Sequence, residues 1–245
     1  MTIPSPSLLA LWILTGLVGS SLAQTHNLFQ WQFANAALSS LLPTCTPLQI
    51  VVKSSDPTTN ATQGTPPYYM ISFAVGGTPV TTFIGTDENN LSWTITQTVD
   101  SQLLLSVVDA NGSAGGIPPQ LFNVIAGQST RCVTPPSTPS FTVTANVTDE
   151  LTTCQPWGLT VKGGVPPYNV TLAAINSPIV TNVTMPFGLD VFTFIDRADP
   201  GTQLLAAISD FTGQWASGTP IVKTKGVYWF SPAGLVKITH QVFVA

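Results

Sequence analysis

The sequence predicts an all-β protein of two tandem immunoglobulin-like Greek-key β-sandwich modules behind a signal peptide. Three observations carry that prediction. Short runs alternate apolar and polar residues, as in Phe29–Phe33 (FQWQF) and Phe141–Ala145 (FTVTA), and period two marks a strand with one buried face. Turn residues separate the runs, including Gly76-Gly77, Asn111-Gly112 and Asp199-Pro200-Gly201. A set of short motifs occurs twice in the same order, which divides the chain into two modules of similar size.

The elements follow in chain order. Residues 1–23 read as a secretory signal: Leu8–Val18 is an apolar core, and Ser21-Leu22-Ala23 offers small residues for cleavage after Ala23. The n-region lacks Lys and Arg, which is atypical. Residues 24–132 form the first module, with strand-like runs at Gln49–Val52, Tyr68–Val75, Leu91–Ile95 and Leu103–Val108. Ala34–Leu42 carries helix formers and is read as at most a turn or two of helix. Residues 133–140 are a Pro-rich linker; three prolines in Thr134–Ser140 favour an extended, semi-rigid spacer. Residues 141–226 form the second module, with runs at Leu159–Val161, Tyr168–Ala173, Val191–Ile195 and Leu204–Ile208. Residues 227–245 are an atypical tail that does not match the end of the first module.

The duplication is explicit. Cys45-Thr-Pro-Leu-Gln-Ile-Val-Val-Lys53 matches Cys154-Gln-Pro-Trp-Gly-Leu-Thr-Val-Lys162, and Gly64-Thr-Pro-Pro-Tyr68 matches Gly164-Val-Pro-Pro-Tyr168. Trp93 corresponds to Phe194, Gln102-Leu103-Leu104 to Gln203-Leu204-Leu205, and Asp109 to Asp210. The first copy holds extra residues around Ser54–Thr62. A Pro-Pro pair ahead of an apolar strand reads as a stiff entry that protects a sheet edge. Asp109 and Asp210, each at a strand end, read as turn-forming residues.

Composition excludes several functions. Only 7% of residues are Asp, Glu, Lys or Arg, against about 25% in an ordinary soluble domain. Seven basic side chains are too few for a nucleic-acid binder. No stretch after residue 23 is apolar enough for a membrane span. N-x-S/T sequons stand at Asn60, Asn90, Asn111, Asn146, Asn169 and Asn182; behind a signal peptide they are glycan acceptors on the surface.

The pattern Cys-x-Pro, then Gly-x-Pro-Pro-Tyr, then a strand ending in Asp before Gly-rich residues resembles the tandem extracellular β-sandwich modules of mushroom-type (basidiomycete) fungal secreted and surface proteins. The resemblance covers roughly residues 28–132 and 141–222. It implies that each module opens and closes with a Cys, and Cys45 and Cys132 fit that pair. Cys132–Cys154 across the linker is the alternative pairing; otherwise Cys154 is left over. The chain departs from the pattern after residue 222, where neither a closing Cys nor a stalk and membrane segment follows. A retained intron or alternative exon would account for the tail.

No catalytic set emerges. His26 stands at the mature start, ahead of the first strand-like run, and His240 in the atypical tail, so a Ser-His-Asp triad has no histidine on the sandwich scaffold. The acidic pairs Asp87/Glu88, Asp149/Glu150 and Asp196/Asp199 fall in turns. No metal or cofactor signature occurs. Trp31, Trp93 and Trp157 sit in strand-like contexts and read as core. Trp215, in the turn-rich DFTGQWASG, is the candidate ligand contact. The sequence thus predicts a secreted, non-catalytic glycoprotein of the cell surface or wall. Its expected role is structural or adhesive, with cell-wall polysaccharide or another surface protein as partner. A pair of carbohydrate-binding modules is the alternative, and a small secreted hydrolase the third reading.

Overall fold

The computed structural model describes residues 21–23 as strand backbone, and residues 28–35, 40–56, 58, 64–133 and 139–226 in full. All regular structure among them is β. Expectations that fall on the signal core, on Asn60, on 134–138 of the linker, on both histidines and on the tail lie outside the described residues.

Among the described residues the first module has the strands β2 (Phe29–Phe33), β3 (Leu41–Pro43), β4 (Pro47–Ser54), β5 (Tyr68–Ala74), β6 (Val80–Gly85), β7 (Leu91–Thr94), β8 (Gln102–Val108) and β9 (Phe122–Ile125). They form two sheets, ordered β2-β4-β7 and β3-β9-β8-β5-β6. The second module repeats them as β10 (Thr142–Ala145), β11 (Glu150–Thr152), β12 (Pro156–Lys162), β13 (Asn169–Ala174), β14 (Val180–Thr184), β15 (Val191–Ile195), β16 (Gln203–Ser209) and β17 (Ile221–Lys225). Its sheets are β10-β12-β15 and β14-β13-β16-β17-β11, so the strand order is the same. Even the unusual parallel pairing recurs, β3 with β9 and β11 with β17. A further strand, β1 (Ser21–Ala23), runs antiparallel along the free edge of β14.

Each module buries its own core between its two sheets. Phe29, Ile50, Trp93, Leu103 and Leu105 meet in the first, and Phe141, Leu159, Trp157, Phe194 and Ile208 in the second. The cross-strand pair Leu48–Trp93 of the first becomes Trp157–Phe194 in the second, so the indole has changed strands while the bulk has stayed in place.

Two local readings are corrected. The described end of Ala34–Leu42 is strand β3, because Leu42 fills the core as its chain pairs with β9. The Pro-Pro pairs (both cis) precede β5 and β13, which are interior strands, so they guard no edge.

Candidate functional site

The two modules are packed against each other. Strand β8 explains how. Leu103, Leu105 and Val107 point into the first core, and Leu104, on the opposite face, is equally buried. Strand β16 does the same, with Leu204, Ala206 and Ile208 inward and Leu205 and Ala207 outward. The outward residues join a third apolar cluster drawn from both modules: Phe73, Leu104, Ala114 and Ile117 from one, Ala173, Val180, Leu205 and Ala207 from the other. The outer faces of the two larger sheets therefore cover one another.

Backbone hydrogen bonds at the rim follow a two-fold pattern. Ile117 N donates to Ser177 O at 2.8 Å, and its counterpart Gly218 N donates to Gly77 O at 2.9 Å. Asn176 N donates to Pro118 O at 3.0 Å, and its counterpart Gly76 N donates to Thr219 O at 2.9 Å. The turn after β5 in each module thus grips the segment before the last strand of the other. Gly76 and Asn176 both hold the left-handed backbone that this turn requires, at φ 67° and 60°.

Trp215, the candidate ligand contact, lies at this junction. Its indole N–H donates to Thr81 Oγ of the first module at 2.9 Å, and its ring meets Phe73 edge-on at 5.8 Å. It is half-buried among module contacts. Trp93 and Trp157 are core, as expected. Trp31 is different: it is half-buried and lines an open groove of about 580 Å³ beside the junction.

That groove has a local cause. In the second module the first strand is tied to the chain before the last strand by Val143 N to Ser217 O and Ser217 N to Phe141 O. In the first module the corresponding link is a side chain, Trp31 Nε1 donating to Gly116 O at 3.0 Å. Trp31 and Phe33 give the groove its aromatic wall, Pro118 and Pro119 face it, and Gln30, Gln32, Asn35 and Gln120 supply amides. Asn176 and Pro178 bring the second module to its end. Among the described residues no ionisable side chain lines it.

Asp109 and Asp210 organise the loops that support the junction. Asp109 accepts from the backbone N–H groups of Thr65, Asn111 and Ser113 at 2.8–3.0 Å. Asp210 accepts from those of Val165, Thr212 and Gln214 at 2.9–3.0 Å, and from Thr212 Oγ. Burial pushes the Asp210 carboxyl up, but the bonds from Thr212, Val165 and Gln214 outweigh it and hold the group below its ordinary range. Asp196, in the place of Ile95, is fully buried; burial raises its pKa against one bond from Ala198 N. Its Oδ2 has no partner among the described residues. Asp87 accepts from Asn89, and Glu150 pairs with Lys225 at 3.2 Å. Among the described residues no group of three or more His, Cys, Asp or Glu could hold a metal.

Cys45 and Cys132 are bonded, at S–S 2.05 Å, and Cys154 is free and exposed. Cys45 and Cys154 share a left-handed backbone, at φ 56° and 69°. Of the sequon residues, Asn90, Asn111 and Asn146 are exposed, and Asn169 and Asn182 are half-buried. Asn182 Oδ1 accepts from Thr171 Oγ at 2.7 Å. Among the described residues no helix is long and apolar enough to cross a membrane.

No family model matches the chain, and no curated protein matches it. Among solved structures it is similar to a two-domain fibronectin type-III segment of chicken tenascin, at 14% identity over 74% of this chain and 94% of that one, with a TM-score of 0.27. It is also similar to fibronectin(III)-like modules of Clostridium thermocellum CbhA, at 9% identity over 80% and 95%, TM-score 0.25. A third likeness is to a structure of a 1.5-MDa bacterial ice-binding adhesin, at 12% identity over 84% and 66%, TM-score 0.25. Likenesses this distant carry no argument about function; the sandwich fold rests on the strand order above.

Proposed function

We propose that the chain is a secreted, N-glycosylated, non-catalytic protein of the cell surface or wall, acting as a structural or adhesion-type element. One observation carries this: every described sequon places its Asn where the side chain is at least partly exposed, on a chain with few charges to keep it dispersed. The Cys45–Cys132 bond supports an oxidising destination. The oxygens of Asp109 and Asp210 are engaged by backbone N–H groups, which fits a structural use of these buried carboxylates. Expression in a eukaryotic host from the native N-terminus tests the reading. We expect the protein in the medium, starting after Ala23, and a mobility shift on enzymatic deglycosylation. Retention in the cytosol with bare sequons would overturn it.

The groove favours a second reading, binding of a neutral oligosaccharide. Sugars stack on aromatic rings and hydrogen-bond to amides, and an uncharged lining suits an uncharged ligand. Retention on insoluble cell-wall polysaccharide should fall at least tenfold in Trp31→Ala and stay unchanged in Asn90→Gln. Absence of retention on any neutral polysaccharide removes this reading.

A further inference from the structure

We infer that the outer face of the larger sheet in each module is a self-complementary association surface whose partner is another such module, and that the two modules of this chain occupy each other's surface. An isologous interface has a signature: when residue i touches j, the equivalent of j touches the equivalent of i. Gly77 and Ser177 are equivalent, as are Ile117 and Gly218, and the bonds Ile117 N to Ser177 O and Gly218 N to Gly77 O obey the rule. So do Asn176 N to Pro118 O and Gly76 N to Thr219 O. Domains joined only by a tether have no reason to repeat four backbone bonds as two related pairs. Outward Leu104 and its equivalent Leu205 both enter the shared cluster, so the apolar part of the contact follows the same axis.

The linker is then a tether of convenience, and the sheet faces hold the modules together, with β1 on the edge of β14 as a lesser contact between the halves. No covalent bond other than the chain itself joins them, since the disulfide lies within the first module and Cys154 is free.

The experiment keeps the full chain. A protease site replaces residues 134–138, the protein is purified intact, cut, and passed over a sizing column with light scattering at micromolar concentration. We expect the two halves to co-elute with the mass of the uncut chain. Halves that separate overturn the inference. In the same background Phe73→Asp places a charge at the centre of the contact and should weaken association roughly hundredfold, so that the halves part. Trp215→Ala, at a half-buried position, reads the same contact without burying a charge. A β-type circular dichroism spectrum and an intact Cys45–Cys132 bond report folding. Folded halves of both variants that stay together also overturn the inference.

Discussion

Removing the Asp210 carboxylate tests the loop architecture most directly. In Asp210→Ala the N–H groups of Val165, Thr212 and Gln214 lose their acceptor, as does Thr212 Oγ. A buried bond to a charged acceptor is worth about 1.5–3 kcal/mol, but Val165, Thr212 and Gln214 are exposed residues and water replaces part of each bond. About 1 kcal/mol for each backbone bond gives a loss of about 3 kcal/mol. For a module of ~100 residues each kcal/mol moves Tm by roughly 4–8 °C, so the second module should melt at least ~10 °C lower. The pH dependence has a definite sign. The folded pKa of Asp210 lies below its ordinary 3.8, so its contribution is complete above the unfolded value and is lost as pH falls through the folded one. Differential scanning calorimetry from pH 7 down to pH 3 should show a wide gap between wild type and variant that narrows in acid. A gap under ~2 °C at pH 7, or one that widens on acidification, would refute the reasoning. Asp109→Ala should lower the Tm of the first module at pH 7 in the same way, through the N–H groups of Thr65, Asn111 and Ser113 that lose their acceptor.

Three further outcomes follow from named contacts. Replacing Cys45 and Cys132 by Ala opens a loop closed across 87 positions, a loss of about 4.5 kcal/mol in the chain-entropy model that a urea midpoint will read; Cys154→Ala should leave the midpoint unchanged, and alkylation of the native protein should modify Cys154 alone. Asp196→Asn should raise Tm at neutral pH. The raised pKa means that the native carboxyl binds its proton more tightly than the unfolded one, so wild-type stability falls as pH rises from 3.8 through the folded pKa, and the variant's advantage should shrink at pH 4. Ser106 buries a hydroxyl without a partner among the described residues at the junction, where the second copy has Ala207; Ser106→Ala should gain about 1 kcal/mol, and a lower Tm would count against the assignment.

The sandwiches were legible because each strand with one solvent face alternates, and because the copies share Cys-x-Pro, Gly-x-Pro-Pro-Tyr and the strand-end Asp. Those motifs fall at backbone positions with special demands: the left-handed cysteine, the cis proline pair and the capping carboxylate. The junction was less legible, yet it left a trace. Gln102–Val108 (QLLLSVV) and Gln203–Ser209 (QLLAAIS) are unbroken apolar runs, and such a run marks a strand covered on both faces. Read that way, each larger sheet needed a second cover, and the sister module is the nearest one. Trp215 is half-buried and not fully exposed for the same reason: a turn-rich stretch reads as exposed unless another body lies over it. Trp31 drew a core assignment from its alternating strand, but β2 is an edge strand whose inward indole closes a seam instead of filling an interior.

The copies have kept the backbone contacts of the junction and exchanged its side-chain volume. Phe73 has Ala173 as its counterpart, and Trp215 has Ala114. Across the pseudo-axis the chain sets Phe73 against Trp215, while Ala173 and Ala114 occupy the equivalent positions. Two copies of the first module would instead set Phe73 against Ala114 twice, and two of the second Ala173 against Trp215 twice. The total volume is nearly conserved, but the edge-on aromatic contact exists only in the mixed pair. Such a contact is worth about 0.5–1.5 kcal/mol beyond buried area, a preference of roughly two- to tenfold for the sister module over a like one. Exchange of modules between chains keeps the mixed pair and its aromatic contact; what works against it is the tether, which adds its own local concentration to the pair within one chain. A surface able to pair with its own kind is in this way kept occupied within one molecule.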